Sequence, residues 1–260
     1  MSRKIVLFFL ITLNIFNSKC QKKTHFDKKN IEFDKKNDLF AGKLPFLPGE
    51  KLEYKISYGV KKNKSGVLLA AFAETCIKDT LFHNLPSFAI TASGKTTRIF
   101  SLFMRVQHEY KSVVDKKKFK IIFFSFKVQE GKFNKIKKRN YNKNSNIEYN
   151  DILSAIYKLR KIDNSLLNKG DTIHYSYGKS KTKSTLTVLG RETIKTKFGK
   201  INTLKLSPTF PKNRRFKGGD DATIWISDDV SNTPVKMEIP LKVGVIYVNL
   251  NKYENTGFIF

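Results

Sequence analysis

The sequence predicts a mainly β protein, an antiparallel barrel-like or sandwich domain that carries one short helix. Three observations lead to it. Apolar and polar residues alternate over many short segments, as Leu52, Tyr54, Ile56 and Tyr58 do against Glu53, Lys55 and Ser57, which is the period of a strand with one buried face. Turn formers such as Asn63-Lys64-Ser65-Gly66 and Glu130-Gly131 separate these segments, as they do in all-β domains. Residues 151–160 stand apart, with apolar residues at helical spacing.

The chain begins with Arg3 and Lys4, an apolar run over residues 5–16, and Ser18-Lys19-Cys20 ahead of Gln21. A charged start, an apolar stretch and small side chains at the peptidase positions make a secretory signal peptide, with cleavage expected between Cys20 and Gln21. The run is shorter than the about 20 apolar residues of a membrane-spanning helix. Lipid modification of Cys20 is the weaker alternative, because Lys19 and Asn17 occupy positions that favour a small and a Leu-like residue. Cleavage leaves Cys76 as the one thiol and excludes an intramolecular disulfide. Residues 21–43 read as a polar tether containing a near-duplicated heptad, Phe26-Asp27-Lys28-Lys29-Asn30-Ile31-Glu32 and Phe33-Asp34-Lys35-Lys36-Asn37-Asp38, which cannot bury a face. A single β-rich domain is expected over residues 44–260.

Within that domain strands are expected at 52–58, 67–73, 88–92, 106–114 and 119–128. Further strands are expected at 173–177, 186–189, 222–227, 235–241 and 245–253. A hairpin of 192–197 with 201–206 turns at Phe198-Gly199-Lys200. In the helix, Asn150 or Asp151 caps the free amides, and Ile152, Ile156 and Leu159 share a face. Leu153, Tyr157 and Arg160 lie along an adjacent edge. Residues 99–105 are a second, shorter helical candidate.

The formal charge is +28 and the isoelectric point about 10.0. Most of it is Lys, a point charge without the planar fork that Arg presents to bases, and an exported protein does not meet nucleic acid. The densest cationic stretch, from Lys116 to Arg139 and on to Lys143, fits an anionic lipid or polymer surface. An AT-rich coding sequence also produces such a Lys and Asn load.

Several blocks of the chain carry a resemblance. They are Leu47-Pro48-Gly49-Glu50-Lys51-Leu52-Glu53-Tyr54 through Tyr58-Gly59, then Tyr110-Lys111-Ser112-Val113-Val114-Asp115, then the helix at 151–160. Val188-Leu189-Gly190-Arg191-Glu192 with Gly199 follows, and then Ile224-Trp225-Ile226-Ser227-Asp228-Asp229 with Pro234-Val235-Lys236-Met237-Glu238 and Val243-Gly244. In this order they resemble the domain-of-unknown-function 3108 family. The resemblance implies an exported, β-rich, barrel-like domain of the bacterial envelope, in the periplasm or cell envelope of a Gram-negative organism, and supplies no catalytic residues.

The residues themselves offer no catalytic constellation and no cofactor. His25, His83, His108 and His174 lack metal-ligand spacing. Asp228-Asp229 after a strand reads as a turn that accepts backbone hydrogen bonds rather than an acid–base pair. Cys76 reads as a small buried hydrophobe. Gly218-Gly219-Asp220-Asp221 fits neither a phosphate loop nor a calcium loop. A non-catalytic role is expected: either a barrel holding a lipid-like or other apolar ligand, or a scaffold docking protein partners or anionic surfaces. The terminal Gly257-Phe258-Ile259-Phe260 raises a third reading, an outer-membrane barrel. Ligand or structural candidates are Tyr54, Tyr58, Tyr157, Arg160, Trp225, Asp228 and Asp229. A packing gap behind Tyr54 and Trp225 favours the carrier, and Arg160 is expected to bind the last helix carbonyls or to reach Asp228 or Asp229.

Overall fold

A computed structural model describes residues 30–32, 44–59, 68–141, 150–176, 183–209, 222–241 and 243–257. The expected signal peptide with Cys20 and Gln21, the turn at 63–66, the Gly218–Asp221 segment and the terminal phenylalanines lie outside the described residues, as does most of the expected tether.

The described chain forms thirteen strands: β1 (Asn30–Glu32), β2 (Lys51–Gly59), β3 (Leu68–Phe82), β4 (Leu85–Thr96), β5 (Val106–Asp115), β6 (Ile121–Glu130), β7 (Phe133–Asn140), β8 (Thr172–Ser176), β9 (Lys183–Thr196), β10 (Gly199–Pro208), β11 (Thr223–Ser227), β12 (Pro234–Pro240) and β13 (Val245–Glu254). Helix α1 (Arg98–Ser101) follows β4, and α2 (Ile152–Leu159) follows β7. All strands join one sheet in the order β1-β8-β9-β10-β11-β12-β13-β2-β3-β4-β5-β6-β7. Every pairing is antiparallel except β1 with β8.

This order follows from two meanders, β2 to β7 and β8 to β13, zipped together where β13 pairs with β2. The connection from β7 to β8 must therefore travel from one edge of the sheet to the other. It does so through α2, which packs against β4 and β5. A single sheet settles the expected choice between barrel and sandwich: the fold is barrel-like and open, with β1 and β7 at its edges.

Alternation decides which face is inside. Leu52, Tyr54 and Ile56 of β2 are buried while Lys55 is exposed, and Tyr110 and Ser112 of β5 are buried between exposed Glu109 and Lys111. Three apolar clusters tile the inner face. One holds Phe46, Ile77, Phe88, Ile90, Phe119, Phe126, Leu153 and Tyr157 under α2. A second joins β2, β12 and β13, and a third joins Ile162 and Leu167 to β8, β9 and β10.

Helix α2 starts where the sequence places it. The Asp151 carboxylate accepts from the amides of Leu153 (2.8 Å) and Ser154 (3.3 Å) and from Ser112 Oγ (2.6 Å). Ser154 Oγ in turn accepts from the Asp151 amide at 3.0 Å, completing a capping box.

Several expectations need correction. Within the expected tether, Asn30–Glu32 form β1 against β8, because an open sheet edge offers unpaired backbone groups. Strand β6 begins at Ile121, since Phe119 turns inward at φ +55° and fills the core. Strand β7 runs through the cation-rich stretch, where alternation is masked by Lys on both faces. The shorter helix spans only Arg98–Ser101. The cation-rich stretch is also split: Lys116–Lys118 form the β5–β6 turn at one end of the sheet, and Lys132 sits in the β6–β7 turn at the other.

Candidate functional site

The apolar face read from the sequence for α2 is not the one packed most tightly. Leu153, Ser154 and Tyr157 are buried against the sheet, whereas Ile152 and Leu159 are half-buried and Ile156 is 39% exposed. Those three residues border a cavity of about 270 Å³ between α2 and the inner face. Opposite them stand Leu52, Tyr54 and Ala73 from β2 and β3, Leu206 from β10, Ile224 and Ile226 from β11, and Met237 and Ile239 from β12. Strands from both meanders line one space, which requires the sheet to curl around it. The lining is overwhelmingly apolar, with Arg160, Asn164 and Asn232 near the helix end and Glu74, Thr75 and Ser93 on the sheet.

Arg160 is the C-cap of α2 and is buried. It reaches neither Asp228 nor Asp229. Its guanidinium instead pairs with both oxygens of buried Glu50, Nη1 to Oε1 at 2.6 Å and Nη2 to Oε2 at 2.8 Å. Nε donates to the Ser231 carbonyl at 3.1 Å, and Nη2 reaches Thr233 Oγ1 at 3.3 Å. The charge also lies over the rings of Tyr157 (5.1 Å) and Phe46 (5.6 Å). Burial opposes the charge, but the Glu50 hydrogen bonds and field outweigh it and hold the guanidinium above its ordinary range. Glu50 lies a hundred and ten positions away in the chain, so spacing in the sequence gives no sign of the pair.

Tyr54 lines the cavity and donates its hydroxyl to the Pro234 carbonyl at 3.1 Å. Tyr157 also lines it. Burial raises both phenols above their ordinary range. Tyr58 stands at the rim of the sheet and donates to the Val243 carbonyl at 3.2 Å. It packs where a Cβ on Gly244 would come within 2.6 Å of the ring, a position that also has φ +79°. Asp229 accepts from the Ser231 amide and the Ser227 hydroxyl, both at 2.8 Å, so it shapes the turn. Asp228 accepts from Arg191 Nε at 3.0 Å. His108, buried on β5, lies 3.1 Å from Glu130 through Nε2.

Trp225 faces the other way. Its neighbours Ile224 and Ile226 line the cavity, so the indole is on the outer face, and the packing gap lies behind Tyr54 alone. Lys205 and Lys236 are its direct cross-strand partners, with ammonium groups 5.3 and 4.5 Å from the ring. The indole N–H donates to Glu192 Oε1. That bond, together with Lys205 and Lys236, holds the Glu192 carboxyl below its ordinary range against the opposing effect of burial.

A depressed carboxyl contributes stability above its unfolded value of about 4.3 and loses it as pH falls through the folded value. The sequence has one Trp, so its fluorescence reports this bond. We expect emission to stay constant through the ordinary glutamate range and to change only below it. In Glu192→Gln the acid transition should be absent.

A family model described as "Protein of unknown function (DUF3108)" matches residues 53–251. No curated protein matches the chain. Among solved structures, the beta-barrel-like protein of domain of unknown function DUF1849 from Brucella abortus covers 81% of this chain and 98% of its own, with 8% identity and a TM-score of 0.47. The Mycobacterium tuberculosis lipoprotein LppX covers 81% of this chain and 88% of its own, with 17% identity and a TM-score of 0.28.

Proposed function

The chain belongs to the DUF3108 family of proteins of unknown function, and from that premise we propose that it is an exported, non-catalytic carrier or sensor of an apolar, lipid-like ligand. The observation that carries the proposal is the cavity between α2 and the sheet, about 270 Å³ and lined almost wholly by apolar side chains. Apolar cavities of about 150 Å³ already stay dry and accept benzene. This one is larger and opens to solvent beside Ile156, so a ligand can enter it and cover apolar lining that now faces water.

The helix supports the same reading. Ile152, Ile156 and Leu159 remain incompletely covered by protein, which leaves apolar surface for a ligand to bury at about 25 cal/mol per Å². The buried guanidinium and two amides, Arg160, Asn164 and Asn232, stand together at the C-terminal end of α2, apart from Glu74, Thr75 and Ser93 on the sheet. A ligand with one polar terminus has hydrogen-bonding partners at either of these places.

The outer face argues against a membrane-spanning barrel. Lys55, Lys95, Lys111 and Lys127 stand exposed on the outer face of β2, β4, β5 and β6, where a spanning strand needs apolar side chains.

Native mass spectrometry of protein purified from its own envelope tests the proposal. We expect a retained lipid-like mass, lost in Ala73→Phe and Ala92→Phe, which push a ring into the cavity from its floor. A protein that is always empty, or a mass retained equally by both variants, moves the role to the scaffold.

A further inference from the structure

We propose that one end of the sheet is a docking surface for an anionic phospholipid bilayer, formed where ordered loops present apolar side chains among exposed cations. This stands on different residues from the cavity and does not depend on what the cavity holds.

Strand register gathers these loops. Val245 pairs with Gly59 and Leu68 with Tyr58, so the β12–β13 turn adjoins the start of β3. The Thr97 amide donates to the Ala70 carbonyl at 2.9 Å and its hydroxyl to the Leu69 carbonyl at 3.2 Å, which anchors α1 to the same place. The Gly131 amide donates to the Arg105 carbonyl at 2.8 Å and brings in the β6–β7 turn.

The apolar residues at this end are out in solvent: Leu102 is 83% exposed, Val243 65%, Ile99 63%, Phe103 60% and Phe133 55%. Local structure holds them there. Thr97 caps α1 by accepting from the Phe100 amide at 3.2 Å, and Phe100 alone turns inward, 5% exposed. Its neighbours on the short helix and turn have no core left to enter. Scattered exposed hydrophobes are ordinary, but a contiguous group marks an interaction surface.

Charge selects the partner. Arg98, Arg105 and Lys132 are exposed in the same loops, and residues 97–105, 131–133 and 243–244 contain no Asp or Glu. Aliphatic and aromatic tips ringed by cations match the boundary between acyl chains and anionic headgroups. The opposite end of the sheet differs in charge: Leu81 is 71% exposed there, but Asp79 and Asp115 stand among its lysines and Lys116 pairs with Asp79 at 2.7 Å.

Co-sedimentation with phosphatidylglycerol and with phosphatidylcholine vesicles tests the surface, using protein purified from the cells that export it. Binding to the anionic vesicles is expected to exceed binding to the neutral ones. The variant Leu102→Ser/Phe103→Ser and the variant Arg98→Glu/Arg105→Glu/Lys132→Glu should each lower it by at least about tenfold. Reversing Lys116, Lys117 and Lys118 to Glu should change it by less than about threefold, since that end is not engaged. Phe103→Trp provides a second readout: its emission should move to the blue with anionic vesicles and be quenched by brominated acyl chains. Equal losses in all three charge and apolar variants, wild-type binding by the loop variants, or equal affinity for soluble polyglutamate would overturn the proposal.

Discussion

Replacing Glu50 by Ala is expected to lower the unfolding free energy by about 3–5 kcal/mol, the cost of leaving one partner of a buried ion pair alone. Arg160 is 3% exposed and Glu50 is fully buried, so water cannot replace the lost carboxylate. The remaining acceptors, the Ser231 and Pro45 carbonyls and Thr233 Oγ1, satisfy the guanidinium N–H groups only in part and carry no countercharge. Urea denaturation measures it: the midpoint falls while the slope stays constant, as it must if the folded surface is unchanged.

A second variant separates charge from shape. Glu50→Leu with Arg160→Met removes both charges and keeps apolar volume, and such exchanges are often neutral or stabilising. Recovery of most of the lost stability is expected. If the double variant remains as unstable as Glu50→Ala, the pair acts through its geometry, holding the end of α2 to residues 45–50 and to the turn at 231–233.

Replacing Phe46 by Ala is expected to cost about 3–5 kcal/mol as well, through a cavity and not through charge. Phe46 is 1% exposed and sits among rings, with centroids 5.3 Å from Tyr157, 5.8 Å from Phe88 and 6.0 Å from Phe119. The Tyr157 and Phe88 contacts are edge-to-face, the arrangement that adds to plain area burial. Residues 44–50 precede the first long strand, yet they supply both Phe46 to the largest core cluster and Glu50 to Arg160. Because Arg160 lies over the Phe46 ring at 5.6 Å, Phe46→Ala combined with Glu50→Ala should cost less than the sum of the two, measured as a double-mutant cycle. Simple additivity would show that the two contacts act independently.

Much of the fold is legible in alternation. β2, β5, β12 and β13 lie within a few residues of their expected bounds because each has one apolar face and a turn signal beyond it. Helix α2 is equally readable, since Asp151 and the 3.6-residue spacing are local features. β7 escapes because Phe133 and Ile136 sit among lysines on an edge strand, where pairing needs no buried face. Trp225 shows the limit of residue type as a guide. Its indole, a natural candidate for a ligand wall, lies on the outer face, since Ile224 and Ile226 on either side face inward.

By itself, the sequence determined what depends on neighbours in the chain: the strand periodicity, the capped helix, the turn at Asp228-Asp229 and the family blocks. The tertiary structure alone decided that Arg160 meets Glu50, that Ile152, Ile156 and Leu159 border a cavity, and that apolar and basic loops share one end. Those outcomes follow from closing two meanders through β13 and β2 and sending α2 across the face between them. Contacts made over a hundred residues are set by the path of the sheet, which no local pattern encodes.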